Sequence, residues 1–299
     1  MPEIVEIPVL WLQGASCSGC IVSLLNSFSP KASSLVLREL TPGKHVSLRF
    51  IATVMAGQGQ QVVDILHDDT AAAGGYVLVV EGSLPLGGDL FATLGESDGR
   101  EVPIAETVGR LARKAMCVVA MGTCSAFGGI PAGEGNLTQA GSLEKLLQRD
   151  GIDVPLVNIP GCPPHPDWLV GSLVAVMRYG LDAVAATLDE LKRPKMFFGK
   201  QIHETCPRRA DFDAGRFAKN FGEPGCLYEL GCKGPVTYAD CPTRMWNSGT
   251  NWCIGAGSPC HGCVEPGFPD RLAPLYCKID EQRLNRFRLL EPTVSETQK

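Results

Sequence analysis

Apolar positions fall into two kinds of run that alternate along the first two thirds of the chain. Ile7 to Gln13, Tyr76-Val77-Leu78-Val79-Val80, Cys117-Val118-Val119-Ala120-Met121 and Val154 to Ile159 are short continuous runs, stopped by Gly14, Glu81-Gly82, Gly122-Thr123-Cys124 and Pro160-Gly161-Cys162. Such runs suit strands covered on both faces in a parallel sheet. Val46, Leu48 and Phe50 alternate with polar residues and predict a further strand. Between the runs the spacing changes to that of a helix face. Ile21, Leu24, Leu25 and Phe28 predict a helix from Cys20 to about Phe28, ended by Ser29-Pro30. Ile104, Val108, Leu111, Ala112 and Ala115 predict one between Pro103 and Met116. Leu169, Leu173 and Val176 to Met177 mark a third, and Leu181, Val184, Leu188 and Leu191 a fourth.

This alternation predicts an α/β fold, a doubly wound parallel sheet of flavodoxin-like outline over residues 1–193. After Arg193-Pro194 the periodic segments stop, while cysteine, glycine and proline become frequent. Residues 194–299 therefore read as a second, loop-rich domain, in which bound metal centres would supply part of the folding free energy.

A net charge of −5 argues against a nucleic-acid footprint. No run reaches the length of a membrane span, and the tail from Pro292 to Lys299 is polar. Met1 to Glu6 carries no basic start, so the expected compartment is the cytoplasm, or the periplasm if an export signal was removed.

Thirteen cysteines change the picture. In a chain of this size, clustered cysteines point to metal binding or redox chemistry, and an odd count argues against complete pairing. Cys17 and Cys20 lie in a predicted strand-to-helix turn, while Cys124 and Cys162 each follow within a few residues of a strand's carboxyl end. In a parallel sheet those ends share one edge, which brings four thiolates to one place, the number a cubane iron–sulfur cluster takes. Taken alone, the Cys17-x-x-Cys20 pair reads as a thioredoxin-like dithiol. Downstream, His203, Cys206, Cys226 and Cys232 form one group and Cys241, Cys253, Cys260 and Cys263 another. Zinc and iron–sulfur clusters both take such sets, and spacing does not separate them.

Jointly, Gly14 to Cys20, Gly122-Thr123-Cys124-Ser125, Gly161-Cys162-Pro163-Pro164-His165-Pro166, His203 to Pro207, Glu229 to Pro235 and Cys260 to Pro266 resemble the small, electron-transferring subunit of NiFe-hydrogenases. The resemblance implies three 4Fe-4S clusters: a proximal one on Cys17, Cys20, Cys124 and Cys162, a distal one on His203, Cys206, Cys226 and Cys232, and a medial one on Cys241, Cys260 and Cys263. Most of that family has proline where Cys253 stands and carries a medial 3Fe-4S cluster. Cysteine here restores a fourth ligand, as in the selenium-containing branch. Gly19 and Gly129 stand where the oxygen-tolerant branch has extra cysteines, so a standard proximal cubane is implied. The implied partners are a large subunit bearing the nickel–iron site and an acceptor, a cytochrome or a quinone-linked subunit. Cys117 and Cys277 are the cysteines left over and make no set for a catalytic nickel site, so the resemblance implies that hydrogen chemistry belongs to the other chain. Two rival readings are a quinone-reductase-type subunit with only the sheet-edge cluster and a zinc-stabilised binding module.

Other residues carry weaker signals. Glu81 ends a buried strand at the proximal edge and is expected to face the cluster or the partner subunit, without being a ligand, or to sit solvated in the turn. His165 and His261 read as structural or outlying residues rather than ligands, and Trp246 and Trp252 as apolar cover for the medial group or as ordinary core. Lys233 reads by default as solvated, with a hydrogen-bond donor or a residue that approaches an electron acceptor as the alternatives. Cys117 opens a buried strand and reads as a core residue, Cys277 as an inert thiol.

Overall fold

The computed structural model describes residues 5–31, 33–34, 39–67, 74–88, 91–97 and 99–279; the polar tail lies outside them. The chain divides into two compact units, Met1–Gly199 with Val264–Pro266, and Lys200–Cys263 with Gly267–Lys299.

Among the described residues the first unit is built on ten strands: β1 (Val5–Gln13), β2 (Glu39–Thr41), β3 (Lys44–Ile51), β4 (Val77–Glu81), β5 (Leu84–Pro85), β6 (Thr93–Ser97), β7 (Arg100–Pro103), β8 (Cys117–Met121), β9 (Ala140–Gly141) and β10 (Leu156–Ile159). Six form the main sheet in the order β10-β8-β4-β1-β3-β2. All its pairings are parallel except β2 with β3. As the uninterrupted apolar runs predict, every residue of β4, β8 and β10 is buried. Leu10, Leu12, Leu78, Val80, Val118 and Ala120 pack with Ile104, Val108 and Leu111 of the helix Ile104–Ala112.

Register matters more for function than layout. Gln13 pairs with Glu81, Glu81 with Met121, and Met121 with Ile159, so four strands end in one row. Whatever follows those four residues is delivered to one edge.

Two helices are shorter than their patterns suggest. The first spans Gly19–Leu25. The fourth stops at Ala185, and Leu188 instead bridges to Pro194. The reason is local: the Asp189 carboxylate accepts the backbone N–H groups of Leu191 and Arg193, at 3.0 and 2.8 Å. Such side-chain bonding offers the backbone an alternative to helix. The hairpin β6–β7 was not foreshadowed, because Gly95 and the scattered charges hide any alternation.

Arg193 is a buried node of this unit. Its guanidinium donates to the Asp189 carboxylate at 2.8 Å, and to the Glu265 carboxylate and the Val264 carbonyl at 3.2 and 3.3 Å.

The second unit has only short helices among its described residues, including Ile202–Thr205, Arg209–Asp213 and Cys241–Arg244, joined by turns. An aromatic cluster of Phe212, Phe217 and Tyr228 supplies part of its packing. Among the described residues no helix is long and apolar enough to cross a membrane.

Candidate functional site

Beyond the row of strand ends, the turns interlock. The N–H of Gly14 donates to the Glu81 carbonyl at 2.8 Å, and Ala15 and Ser83 exchange backbone hydrogen bonds at 2.8 and 3.2 Å. A side chain on Gly14 would stand 2.4 Å from the Ser83 oxygen, so only glycine permits this closure. On the other side, Thr123 donates its N–H to Gly161 at 3.0 Å, while its hydroxyl accepts the Gly161 N–H at 2.9 Å. These ties fix the turns that carry Cys17, Cys20, Cys124 and Cys162.

The four thiols come together as the strand-end argument expects. Burial pushes the Cys20 thiol far up, and Glu81, Cys124, Cys17 and Cys162 push it further by like-charge repulsion. Burial raises Cys124 to about 11, with Cys162 and Cys17 adding to it. Cys162 is raised by burial and by Cys17. Gly122 has φ +87°, and a Cβ there would meet the Cys20 sulfur at 2.5 Å; one on Gly129 would meet the Cys124 sulfur at 2.8 Å. The turns thus keep open the space around the sulfurs that larger residues would fill.

Behind this group lies Glu81, which is fully buried rather than solvated. One carboxylate oxygen accepts the Trp11 indole N–H and the Gln13 amide, both at 3.1 Å. The other accepts the Ser16 hydroxyl at 3.0 Å and the Cys20 backbone N–H at 3.1 Å. Sequence alone leaves Glu81 open between these two settings and does not name its partners; a carboxylate closing an apolar strand, beside Gln13 and Ser16 in the neighbouring turn, is the available signal. His165 is structural: its ring nitrogen accepts the Asp167 N–H at 3.1 Å and caps the helix Pro166–Tyr179.

In the second unit, His203, Cys206, Cys226 and Cys232 line one pocket with Ile202, Leu227, Tyr228 and Ile254. His203 sits on the helix Ile202–Thr205, which a reciprocal Gln201–Glu204 capping box starts. Burial, then the Arg209 charge, lowers its pKa, which keeps the imidazole neutral and its nitrogen lone pair available. Phe212 holds the ring edge-on at 4.5 Å. Burial raises Cys206, Cys226 and Cys232, the last to about 11.

Cys241, Cys253, Cys260 and Cys263 form the other group. Burial raises Cys241 most, followed by Cys263, Asp240 and Cys253, while a hydrogen bond from Trp246 opposes the rise. Trp246 therefore does more than cover the site. Trp252 is 7 % exposed. Cys260 is raised by burial, then by Cys232, Cys263 and Cys241. Cys117 is buried, as its place in a core strand predicts, and Cys277 is exposed.

None of the thirteen cysteines is disulfide-bonded. Among the described residues, no three His, Cys, Asp or Glu side chains are arranged to hold a single metal ion. Gathering thiols until their charges repel is unfavourable unless a cationic centre joins them, because such a centre inverts the local proton affinities. The donor sets, thiols with one neutral imidazole, are of the kind that iron–sulfur clusters use.

Comparison with known proteins fits these features. Residues 198–276 match the family model for the C-terminal part of the NiFe/NiFeSe hydrogenase small subunit. Residues 17–176 match that of the NADH ubiquinone oxidoreductase 20 Kd subunit. The chain is 44% identical over 281 residues to the periplasmic [NiFeSe] hydrogenase small subunit of Desulfomicrobium baculatum, covering 91% of this chain and 87% of that one. It is 39% identical over 275 residues to the periplasmic [NiFe] hydrogenase small subunit of Solidesulfovibrio fructosivorans, covering 90% and 81%. Among solved structures it is similar to the recombinant [NiFeSe] hydrogenase from Desulfovibrio vulgaris Hildenborough, with a TM-score of 0.86 and 42% identity over 93% of this chain and 99% of that one.

Proposed function

The chain belongs to the NiFe/NiFeSe hydrogenase small-subunit family, and from that premise we propose that its three donor groups hold three 4Fe-4S clusters forming an electron relay. It is the electron-transferring small subunit of a hydrogenase, an enzyme complex in which it pairs with a large subunit. Cys17, Cys20, Cys124 and Cys162 would hold the proximal cluster in a first domain, 1–193. Cys241, Cys253, Cys260 and Cys263 would hold the medial cluster, and His203, Cys206, Cys226 and Cys232 the distal one, in a second domain, 194–299. When bound, such clusters supply one-electron chemistry.

The chain's own residues bind and shield. The observation that carries the reading is the row Gln13, Glu81, Met121 and Ile159, from which three turns deliver four thiols to one place. Glu81 orients the Cys20 turn through its backbone N–H. Ile202, Leu227 and Ile254 line the distal pocket with apolar surface. Trp246 donates a hydrogen bond to the Cys241 sulfur, a contact that tunes a thiolate ligand. Bond cleavage in hydrogen falls to the large subunit. The acceptor would be a cytochrome or a quinone-linked subunit, and the names of the two bacterial relatives favour a periplasmic setting, which cell fractionation checks.

Metal and acid-labile sulfide analysis of the purified complex tests the reading. About four iron and four sulfide per donor group are expected beyond the large subunit's metal. Zinc in place of iron would overturn it and favour a zinc-stabilised module.

A further inference from the structure

The two donor groups of the second unit meet at Cys260 and Lys233. The Lys233 N–H donates to the Cys260 carbonyl at 2.7 Å. In return the Cys260 backbone N–H hydrogen-bonds the Cys232 sulfur. Both backbone polar groups of one medial-group residue therefore engage the distal-group segment. Lys233 itself is 1 % exposed. Its stem starts beside the turn between Cys260 and Cys263, where a Cβ on Gly262 would stand 3.5 Å from the Lys233 Cβ. Its Nζ donates to the carbonyls of Cys277 and Pro274, at 2.7 and 3.3 Å. Thr237 tightens the junction: its hydroxyl donates to the Lys233 carbonyl at 2.6 Å and lies 3.8 Å from the Cys260 sulfur.

A solvated lysine, the default sequence reading, is thus replaced by a buried one: its backbone follows the distal-group Cys232 and bonds the medial-group Cys260, its Cβ lies beside the turn between Cys260 and Cys263, and its ammonium is held by the carbonyls of Pro274 and Cys277. A cation in a low-dielectric site favours the more negative state of whatever lies near it, and that state of a cluster is the reduced one. Carbonyl oxygens hold the ammonium in place, so its field does not wander with a flexible side chain.

Resting on the cluster reading above, we infer that Lys233 is an electrostatic positioning residue, raising the reduction potentials of the medial and distal centres together and so drawing electrons into the second unit. The proximal donor group, on another unit, serves as the reference.

The experiment uses the complete hydrogenase complex, wild type and carrying Lys233→Met, Lys233→Gln or Lys233→Arg. Iron and sulfide are counted first, and each protein is then poised at fixed potentials and followed by EPR. In the Met and Gln variants, iron and sulfide stay at wild-type levels. The reduced-to-oxidised ratio of both second-unit centres falls about tenfold, equivalent to 59 mV for a one-electron couple. The proximal centre does not move, and the Arg variant stays near wild type. Unchanged ratios, an equal movement of all three centres, an Arg variant that moves as far as Met, or failure of both the Met and Gln variants to assemble the second-unit centres overturns the inference and leaves Lys233 a packing residue. A wild-type complex lacking the small-subunit iron overturns the cluster reading itself, and the inference with it; that result is seen before any variant is compared.

Discussion

The Glu81 carboxylate accepts the backbone N–H of Cys20 at 3.1 Å, joining the end of one buried strand to the first turn of the helix that carries the thiol. All four of its described hydrogen bonds come from donors. Glu81→Gln keeps the shape but turns one oxygen into a donor that faces other donors. Losing one or two bonds to a buried charged group is expected to cost about 1–3 kcal/mol. Equilibrium denaturation of the purified complex should show a lower midpoint, and Glu81→Ala should fall further, since it also opens a cavity.

Tyr76 gives a pH signature independent of any metal. Its hydroxyl donates to the Leu111 carbonyl at 2.7 Å, and burial raises its pKa from 10.0 to about 12, with Arg110 opposing. Below pH 10 both folded and unfolded chains keep the proton. Between 10 and 12 the unfolded chain releases it first, binds fewer protons, and stability falls as pH rises. Tyr76→Phe should flatten this alkaline loss and cost about 0.5–1.5 kcal/mol at neutral pH for the missing hydrogen bond. Urea unfolding at several pH values measures both effects.

How much of this was legible beforehand varies with the range of the interaction. Strands β4, β8 and β10 were readable because parallel strands buried on both faces leave unbroken apolar runs, and from them the meeting of Cys17, Cys20, Cys124 and Cys162 followed. The α/β class was legible for the same reason. The end of the fourth helix was not, because Asp189 stops it by bonding the backbone N–H groups of Leu191 and Arg193. Nor were the partners of Glu81 or the burial of Lys233: both side chains are accommodated by groups far along the chain, which local hydropathy does not reveal.

Arg193 supplies a stability test in the first unit. Its side chain is 4 % exposed and bonds Asp189 and Glu265, which are themselves largely buried. Arg193→Met keeps much of the volume but leaves two carboxylates without this cation, and breaking a buried pair in this way costs about 3–5 kcal/mol. Arg193→Lys should rescue little, because a single ammonium does not reproduce a guanidinium that bonds two carboxylates and the Val264 carbonyl. Guanidinium denaturation curves of the three proteins should therefore fall in the order wild type, Lys, Met, with Lys closer to Met.

Under the proposed cluster reading, Cys253 would decide whether the medial centre holds three or four irons. Its thiol is raised by burial and adds to the rise of Cys241, so it stands with the medial group although the residue's surface is exposed. Four thiols can hold all four irons of a cubane, whereas three leave one corner without a protein ligand. Cys253→Pro, which copies the residue most of the family has at this position, is expected to remove about one iron per complex and to bring up an oxidised-state 3Fe-4S EPR signal absent from the wild type. The medial potential should rise with it, since cluster type and net charge set that potential. Because Cys253 accepts the Ser258 N–H through its carbonyl at 2.9 Å, a bond that proline preserves, the loop should keep its path and the change should stay at the cluster. A stoichiometric 3Fe-4S signal in the wild-type enzyme would remove Cys253 from the ligand set while leaving the proximal and distal assignments untouched.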